Sequence, residues 1–177
     1  MINTAIEGSL YKDLSLKPGQ IRIVQLFPGR WLDNIHCQLM NVALDENPNY
    51  QALSYVWGHP EDTVALTVNG LNFQATRNLV AALRRLRSSM KPQTLWVDAL
   101  CINQSDMDEK TGQILIMDKI YKGASCVQVF LGESGVLDAI SVEEQAMWDD
   151  PPRFEWHQDY TYLMPTEMRP PRAAVRS

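Results

Sequence analysis

The fold of this chain is expected to centre on one stretch, Leu-Trp-Val-Asp-Ala-Leu-Cys-Ile-Asn-Gln, which occupies residues 95–104. Its first three residues are apolar, aromatic or β-branched, which predicts a strand buried on both faces. Asp98 interrupts the apolar run, and the stretch ends in residues typical of turns and helix starts. An unpaired buried charge is costly, so Asp98 must find hydrogen bonds or a partner. Two interpretations stay open: Asp98 caps neighbouring loop amides, or it binds a ligand at the carboxyl end of the strand.

Length and composition are those of a globular domain. The chain has 177 residues, 45% of them hydrophobic and 21% charged, which suffices for one domain with a core. The net charge of −5 argues against nucleic acid as a partner. Cys37, Cys101 and Cys126 form no CxxC pair, which predicts neither a metal site nor disulfides and fits a cytoplasmic protein. No apolar run reaches the roughly 20 residues of a membrane helix, and no secretory signal is recognisable.

A second dense segment, Tyr-Gln-Ala-Leu-Ser-Tyr-Val-Trp-Gly, occupies residues 50–58 and predicts a central strand over residues 52–56. The strand ends at Trp57-Gly58. Asn69-Gly70 separates two alternating runs and is the strongest short-range hairpin signal in the chain. Further strands are predicted at residues 21–26, 35–44 and 126–131.

Two helices are predicted between these strands. Thr76 or Asn78 can cap the first, whose apolar stripe is Leu79, Ala82, Leu83 and Leu86. The arginines off this stripe are interpreted as a solvated face, with phosphate binding as the alternative: Arg84, Arg85 and Arg87. The second helix is predicted over residues 105–121, with Asp106 and Glu109 as a capping pair and Gly123 as its C-terminal cap.

Strand, helix, strand, helix and strand follow one another from residue 52 to residue 131. This order predicts an α/β fold with an open, mostly parallel, doubly wound sheet, into which the hairpin is inserted and to which an N-terminal β-pair is added. The carboxyl ends of the two dense strands would then share one edge and form a crevice. Its candidate ligand-binding residues are Ser54, Tyr55, Trp57, Gly58, Asp98 and Asn103.

The sequence does not point to a particular reaction. It contains no P-loop, no GxGxxG, no HExxH and no GxSxG pattern, and no metal-binding set among its histidines. Cys101 near Asp98 is interpreted as a small core residue rather than a nucleophile. Trp57 could stack on a ring of a ligand or anchor the core. No catalytic residue is therefore assigned.

Three ordered blocks resemble the fungal heterokaryon incompatibility (HET) domain. Residues 50–58 resemble its first signature and residues 95–104 its second, and residues 109–132 are similar to the segment that follows. The resemblance covers residues 21–133. It implies a module of non-self recognition, a form of fungal innate immunity, that triggers programmed cell death. It also implies partners among other HET or signalling domains, or self-association, and no membrane partner.

HET domains also resemble TIR domains, which have a doubly wound, flavodoxin-like architecture. On that analogy residues 52–55 and 95–98 match the first two TIR strands. Some TIR domains cleave NAD, so the resemblance implies NAD as a conceivable substrate and the crevice as its site; no other cofactor is implied. An NAD-cleaving hydrolase is the alternative to an interaction module without catalysis.

The chain departs from the family after residue 133. The family's Trp-x-x-Gln-Glu pattern, which by the TIR analogy supplies the catalytic carboxylate, is not found there; Glu143, Glu144, Gln145 and Trp148 stand in another order. Residues 134–177 carry a net charge of −4 and five of the ten prolines. We therefore expect an N-terminal extension (residues 1–20), a HET-like domain (21–133) and an atypical acidic, Pro-rich tail (134–177) of a truncated chain, with a short helix near residues 137–148 and little other order. A degenerate fragment that folds poorly is a third interpretation.

Overall fold

Seven strands form one sheet in the computed structural model of the protein, which describes residues 9–132. They are β1 (Gln20–Leu26), β2 (His36–Ala43), β3 (Gln51–Tyr55), β4 (Thr63–Val68), β5 (Leu71–Thr76), β6 (Gln93–Trp96) and β7 (Cys126–Phe130). The order across the sheet is β5-β4-β2-β1-β6-β3-β7. The α-helices that follow β5 are α1 (Arg77–Leu86), α2 (Asp98–Cys101), α3 (Met107–Leu115) and α4 (Met117–Gly123).

One side of the sheet is parallel, as the sequence predicts. The central strand β3 pairs in parallel with β6 on one side and with β7 on the other. The connections that contain α1 and the later helices carry the chain between these strands, which is the arrangement that parallel strands require.

The other side makes the sheet mixed rather than mostly parallel. β1 pairs antiparallel with both β2 and β6, β4 pairs antiparallel with β5, and β2 pairs in parallel with β4. The expectation of a mostly parallel sheet was therefore too strong. The reason is that the N-terminal β-pair is not an edge addition: β1 lies in the middle of the sheet and is buried on both faces.

The predicted hairpin is confirmed, but at the far edge of the sheet. Asn69 and Gly70 connect β4 and β5 with φ of 50° and 78°, the positive values that a type I′ turn requires. The hairpin therefore lies far from β3, although it is inserted between β3 and α1 in the sequence.

The first predicted helix is confirmed, and of its three arginines Arg85 is exposed as predicted, Arg84 is partly buried and Arg87 is buried. Thr76 caps α1 by accepting a hydrogen bond from the Leu79 amide, and Leu79, Ala82 and Leu83 are buried. Arg87 is buried and donates to the carbonyls of Arg30, Trp31, Asp33 and Asn34, so it holds the loop between β1 and β2. Arg84 donates to the carbonyl of Trp31, and Arg85 lies over the Trp31 ring.

The second predicted helix is divided in two at Ile116, whose φ of −108° and ψ of 7° interrupt it. The two halves are anchored on different strands: Gln113 donates to the carbonyl of Gln20 in β1, and Ile120 accepts from the hydroxyl of Tyr50 beside β3. Gly123 ends α4 without a left-handed conformation, contrary to its predicted capping role. A Cβ there would lie 3.2 Å from the Tyr50 hydroxyl, so its small size admits that contact.

The described part also includes residues before β1. Leu10 and Tyr11 are buried in the core, and the Tyr11 hydroxyl donates to the carbonyl of Leu100 at 3.0 Å. No helix within residues 9–132 combines the length and apolar character that a membrane crossing needs. The helix predicted near residues 137–148 and the tail of residues 134–177 lie outside the described residues.

Candidate functional site

The carboxyl ends of β3 and β6 meet, as the sequence predicts. The indole Nε1 of Trp57, just beyond β3, donates to Oδ2 of Asp98, just beyond β6, at 2.9 Å. The two dense segments therefore lie on one edge of the sheet. The hairpin between them does not fill this place, because it pairs at the opposite end of the sheet.

The predicted crevice corresponds to the place where β6 stops pairing. The last paired residues of β6 and β3 are Trp96 and Ala52, whereas β3 continues to Tyr55. Just beyond this level the Tyr121 hydroxyl donates to the carbonyl of Leu53 at 3.4 Å. The side chains around the crevice are thus Tyr55, Trp57, Asp98 and Tyr121.

Asp98 is a partly buried carboxylate held by neutral donors. Its Oδ1 accepts from the Ala99 amide at 2.7 Å, and its other oxygen accepts from Trp57. The hydroxyl of Tyr55 also hydrogen-bonds to it. Burial raises the pKa of Asp98 above its ordinary value, and these three hydrogen bonds lower it by less. No ion pair joins Asp98 to a lysine or arginine within residues 9–132.

Two tyrosines around Asp98 keep their protons. Burial raises the pKa of Tyr55, and the neighbouring Asp98 carboxylate raises it further. Burial and the neighbouring Asp98 carboxylate also raise the pKa of Tyr121. Both phenols are therefore hydrogen-bond donors across the physiological pH range, and neither is a base.

Ser54 and Tyr55 lie on opposite sides of the sheet, because adjacent residues of a strand point to opposite faces. Ser54 is in register with Val129 of β7, whose side chain is exposed. It shares its face with Ala52, whose register partner Trp96 packs against Tyr121. The structure thus separates Ser54 from Tyr55, and ligand binding by Ser54 stays a prediction.

Gly58 shapes the loop that carries Trp57. Its φ of +77° favours glycine, and a Cβ there would lie 3.1 Å from Nδ2 of Asn78. Asn78 uses that nitrogen to hold the carbonyl of Val56 at 3.1 Å. The role of Gly58 is therefore conformational: it lets the loop lie against the start of α1 and places the Trp57 indole at Asp98.

Asn103 belongs to the turn that follows α2. Its side-chain oxygen accepts from the Ser105 amide at 3.2 Å, and its own amide donates to Oε1 of Glu109 at 2.7 Å. Gln104, in the same turn, donates to the backbone carbonyl of Asp98 at 3.1 Å. The side chain of Asn103 is thus used to form the turn that supports α2.

Sequence reasoning missed Arg22, which contacts the elements that follow Asp98 in the chain. Arg22 of β1 is fully buried and forms a bidentate pair with Glu109, at 2.5 and 2.9 Å. It also donates to the carbonyls of Leu14 and Cys101. The available signal was the arginine inside the apolar run Ile-Arg-Ile-Val. Glu109 was predicted to complete a capping box; Asp106 does cap α3, but the carboxylate of Glu109 binds Arg22 instead.

The described residues offer no other reactive centre. Cys101 is fully buried, and burial raises the pKa of its thiol to about 12, which fits its interpretation as a core residue. Within residues 9–132 no three His, Cys, Asp or Glu side chains are grouped so as to hold a metal ion.

Comparison with known proteins gives the family. The family model described as Heterokaryon incompatibility protein (HET) matches residues 50–173, more than half of the chain. The chain belongs to the HET family. The matched part of this HET chain starts at Tyr50, includes both strand tips of the crevice, and continues past the last described residue.

One curated relative is similar over much of the HET chain. It is the Neurospora crassa protein named Heterokaryon incompatibility protein 6, OR allele, 34% identical over 170 residues. The alignment covers 83% of this chain but only 25% of that relative, so the chain spans about a quarter of the length of the protein it matches. No solved structure matches the HET chain.

Proposed function

We propose that this HET chain is a signalling and interaction module of heterokaryon incompatibility, the non-self recognition of fungi, acting in the cytoplasm to trigger cell death. Its partners would be other HET or signalling domains, or a second copy of the chain. Membership of the family and the printed name of the Neurospora relative support this role.

One observation carries the choice of a binding module over an enzyme: Trp57 is tethered to Asp98 while part of its ring stays exposed. Trp57 is 44% exposed although its Nε1 is bound. An aromatic side chain that is held in place loses little entropy on binding, which is why tryptophan is frequent at the centre of interfaces. The two carboxylate oxygens of Asp98 each already accept a hydrogen bond from the chain.

Inducible expression in a filamentous fungus tests this function. We expect the wild-type chain to cause hyphal death, seen with a vital dye, before total cellular NAD falls. Trp57→Ala should weaken the response, whereas Met90→Ala, at a loop position that is 87% exposed, should not. An equal response from both variants, or no death with a stably accumulated chain, would contradict the proposal.

The second candidate is a TIR-like NAD-cleaving hydrolase with a doubly wound, flavodoxin-like arrangement. The position of Asp98 at the carboxyl ends of β3 and β6 favours it, because ligands of open α/β sheets bind there. Burial also raises the pKa of Asp98, and a raised carboxyl pKa is common among catalytic acids. In this reading Trp57 would stack on a nucleotide ring.

Nicotinamide release from NAD by the purified chain separates the two candidates. Asp98→Asn removes the carboxylate, whereas Met90→Ala alters an exposed loop residue and serves as the control. Release that is lost in Asp98→Asn and kept in Met90→Ala, with both variants folded, would establish the hydrolase. The module proposal expects no release above the protein-free blank.

A further inference from the structure

The carboxylate of Asp98 lies at the edge of an indole that is partly open to solvent. Nε1 of Trp57 donates to Oδ2 of Asp98 at 2.9 Å, so the ring and the carboxylate are in direct contact. Trp57 is 44% exposed although this bond occupies its polar edge, so its carbon ring contributes to the exposed area. A negative charge and an accessible aromatic ring therefore lie side by side at the carboxyl ends of β3 and β6.

The charge of Asp98 has no lysine or arginine paired with it in the part of the chain that the structure describes. Arg22 reaches the carbonyl of Cys101 at the other end of α2, but its own charge is matched by Glu109. A partly buried carboxylate attracts a cation more strongly than an exposed one does, because less water screens the interaction. Asp98 therefore favours a ligand that carries a positive charge.

The carboxylate of Asp98 also has room for a further donor. An ionised carboxylate has about four lone-pair sites for hydrogen bonds. Within residues 9–132 the Ala99 amide, the Trp57 indole and the Tyr55 hydroxyl donate to it, which leaves about one of these sites. A fitting ligand thus needs a single N–H directed at Asp98 and a flat surface that can lie on the Trp57 ring.

We propose that this site binds an arginine side chain of a partner protein, with its guanidinium stacked on Trp57 and one N–H donated to Asp98. The guanidinium is planar, stacks on aromatic rings and is less strongly hydrated than the ammonium of lysine, so arginine fits the site better than lysine. The hydrogen bond from Nε1 to an anion also polarises the indole, which strengthens its attraction for a cation. The inference rests on the proposed function, since it names the partner chemistry of that same site.

Titration of the full chain with two matched probes tests the proposal. The probes are the N-acetyl methylamides of arginine and of citrulline, in which a neutral urea group replaces the guanidinium. The NMR signal of the Trp57 indole N–H reports binding, at one ionic strength for both probes. We expect the arginine probe to bind about tenfold more tightly, because charge-assisted hydrogen bonds are stronger than neutral ones. Equal binding of the two probes, or no shift with either, would overturn the proposal.

Two variants locate the preference for the arginine probe. Asp98→Asn keeps the shape of the side chain and removes its charge, so the preference should disappear. Asp45→Asn is the matched control, because it removes an exposed carboxylate between β2 and β3, and it should keep the preference. A preference that survives in Asp98→Asn would contradict the assigned site.

A measurement on the wild type decides the matter if Asp98→Asn does not fold. Carbon-13 NMR of the Asp98 carboxyl gives its pKa with and without saturating probe. The arginine probe should lower this pKa, because a nearby cation favours the charged carboxylate, and the citrulline probe should lower it less. A pKa that responds equally to both probes would overturn the proposal.

NAD is the competing ligand, because its oxidised nicotinamide ring is also a planar cation. A shift of the Trp57 signal by NAD, without any preference between the arginine and citrulline probes, would assign the site to the nucleotide and overturn the proposal. None of these measurements depends on cell death. A missing arginine preference would therefore leave the signalling role intact, whereas the absence of hyphal death would contradict that role and leave the arginine preference measurable.

Discussion

Arg22 and Asp98 are both charged side chains drawn away from water, yet their surroundings differ in kind. Arg22 has a carboxylate partner and two backbone carbonyls around it. Among residues 9–132, the side-chain carboxylate of Asp98 is held by an indole, a phenol and a backbone amide. The two are neighbours through α2, because the carbonyl of Cys101 accepts from Arg22. The charge of Arg22 is neutralised by Glu109, whereas that of Asp98 is stabilised by neutral hydrogen-bond donors.

The difference indicates which charge is structural and which is available for function. An ion pair with satisfied hydrogen bonds fixes the parts it joins, here β1, the segment before it and the start of α3. A buried carboxylate without a cation keeps a perturbed protonation equilibrium, and such groups cluster at binding and catalytic sites. The Arg22–Glu109 pair thus joins β1 to α3 and to Cys101 at the end of α2, the helix that begins at Asp98.

Removing the partner of Arg22 should have the largest effect. Glu109→Ala leaves a fully buried guanidinium without its anion, and we expect the free energy of unfolding to fall by about 3–5 kcal/mol. Urea denaturation measures it. The exposed pair of Lys122 and Asp118 is the control: Lys122→Ala should cost no more than about 0.5 kcal/mol. Similar costs in the two variants would mean that the buried pair has no special structural role.

Disturbing the loop that brings Trp57 to Asp98 should have an intermediate effect. Gly58→Ala forces an alanine into a φ of +77° and against Asn78, which we expect to cost about 1–3 kcal/mol and to change the Trp57 fluorescence. Gly112→Ala is the matched control. Gly112 lies inside α3 with open space at its Cβ position, so alanine there should stabilise by up to about 1 kcal/mol. If Gly58→Ala changes neither the free energy of unfolding nor the Trp57 fluorescence, the contact of Trp57 with Asp98 does not depend on the conformation of Gly58.

The smallest effect, but the one with the clearest pH signature, is expected for Asp98→Asn. A raised pKa means that the folded protein favours protonated Asp98 more than the unfolded chain does, so this contribution to stability is complete below the ordinary pKa of 3.8 and is lost as the pH rises through the raised value. Asparagine stays neutral. The unfolding free energy of Asp98→Asn minus that of the wild type should therefore increase as the pH rises from acid to neutral. Thermal denaturation at several pH values would measure this difference. A difference that decreases as the pH rises would contradict the environment assigned to Asp98.

Local patterns predicted much of the fold. Residues close in sequence predict one element each in the two dense segments, the Asn69-Gly70 turn and the apolar stripe of α1. The parallel pairing of β3 with β6 and β7 follows from the order of these elements. The place of β1 between β2 and β6 could not be predicted in the same way. It depends on pairing between residues some seventy positions apart, such as Val24 with Leu95, which no local pattern encodes.

The candidate site also combines features that local patterns predict with features that depend on long-range contacts. That Trp57 and Asp98 meet could be predicted from strand ends, and it is confirmed. Whether any ligand binds there stays a prediction. The assignment of Ser54 to the other face follows from the pleat, once the bounds of β3 are known. Arg87 and Glu109 had plausible local roles on their helices, and only tertiary contacts revealed their long-range partners.

The protonation of Asp98 itself is the most direct test of this account. Carbon-13 NMR can follow the Asp98 carboxyl through a pH titration in the wild type and in Trp57→Phe, which lacks the indole donor. We predict that Asp98 titrates above the ordinary aspartate pKa of 3.8 in the wild type, and higher still in Trp57→Phe, because a hydrogen bond to the charged form is lost. Titration at or below 3.8 in the wild type would contradict the picture of a desolvated carboxylate without a cation.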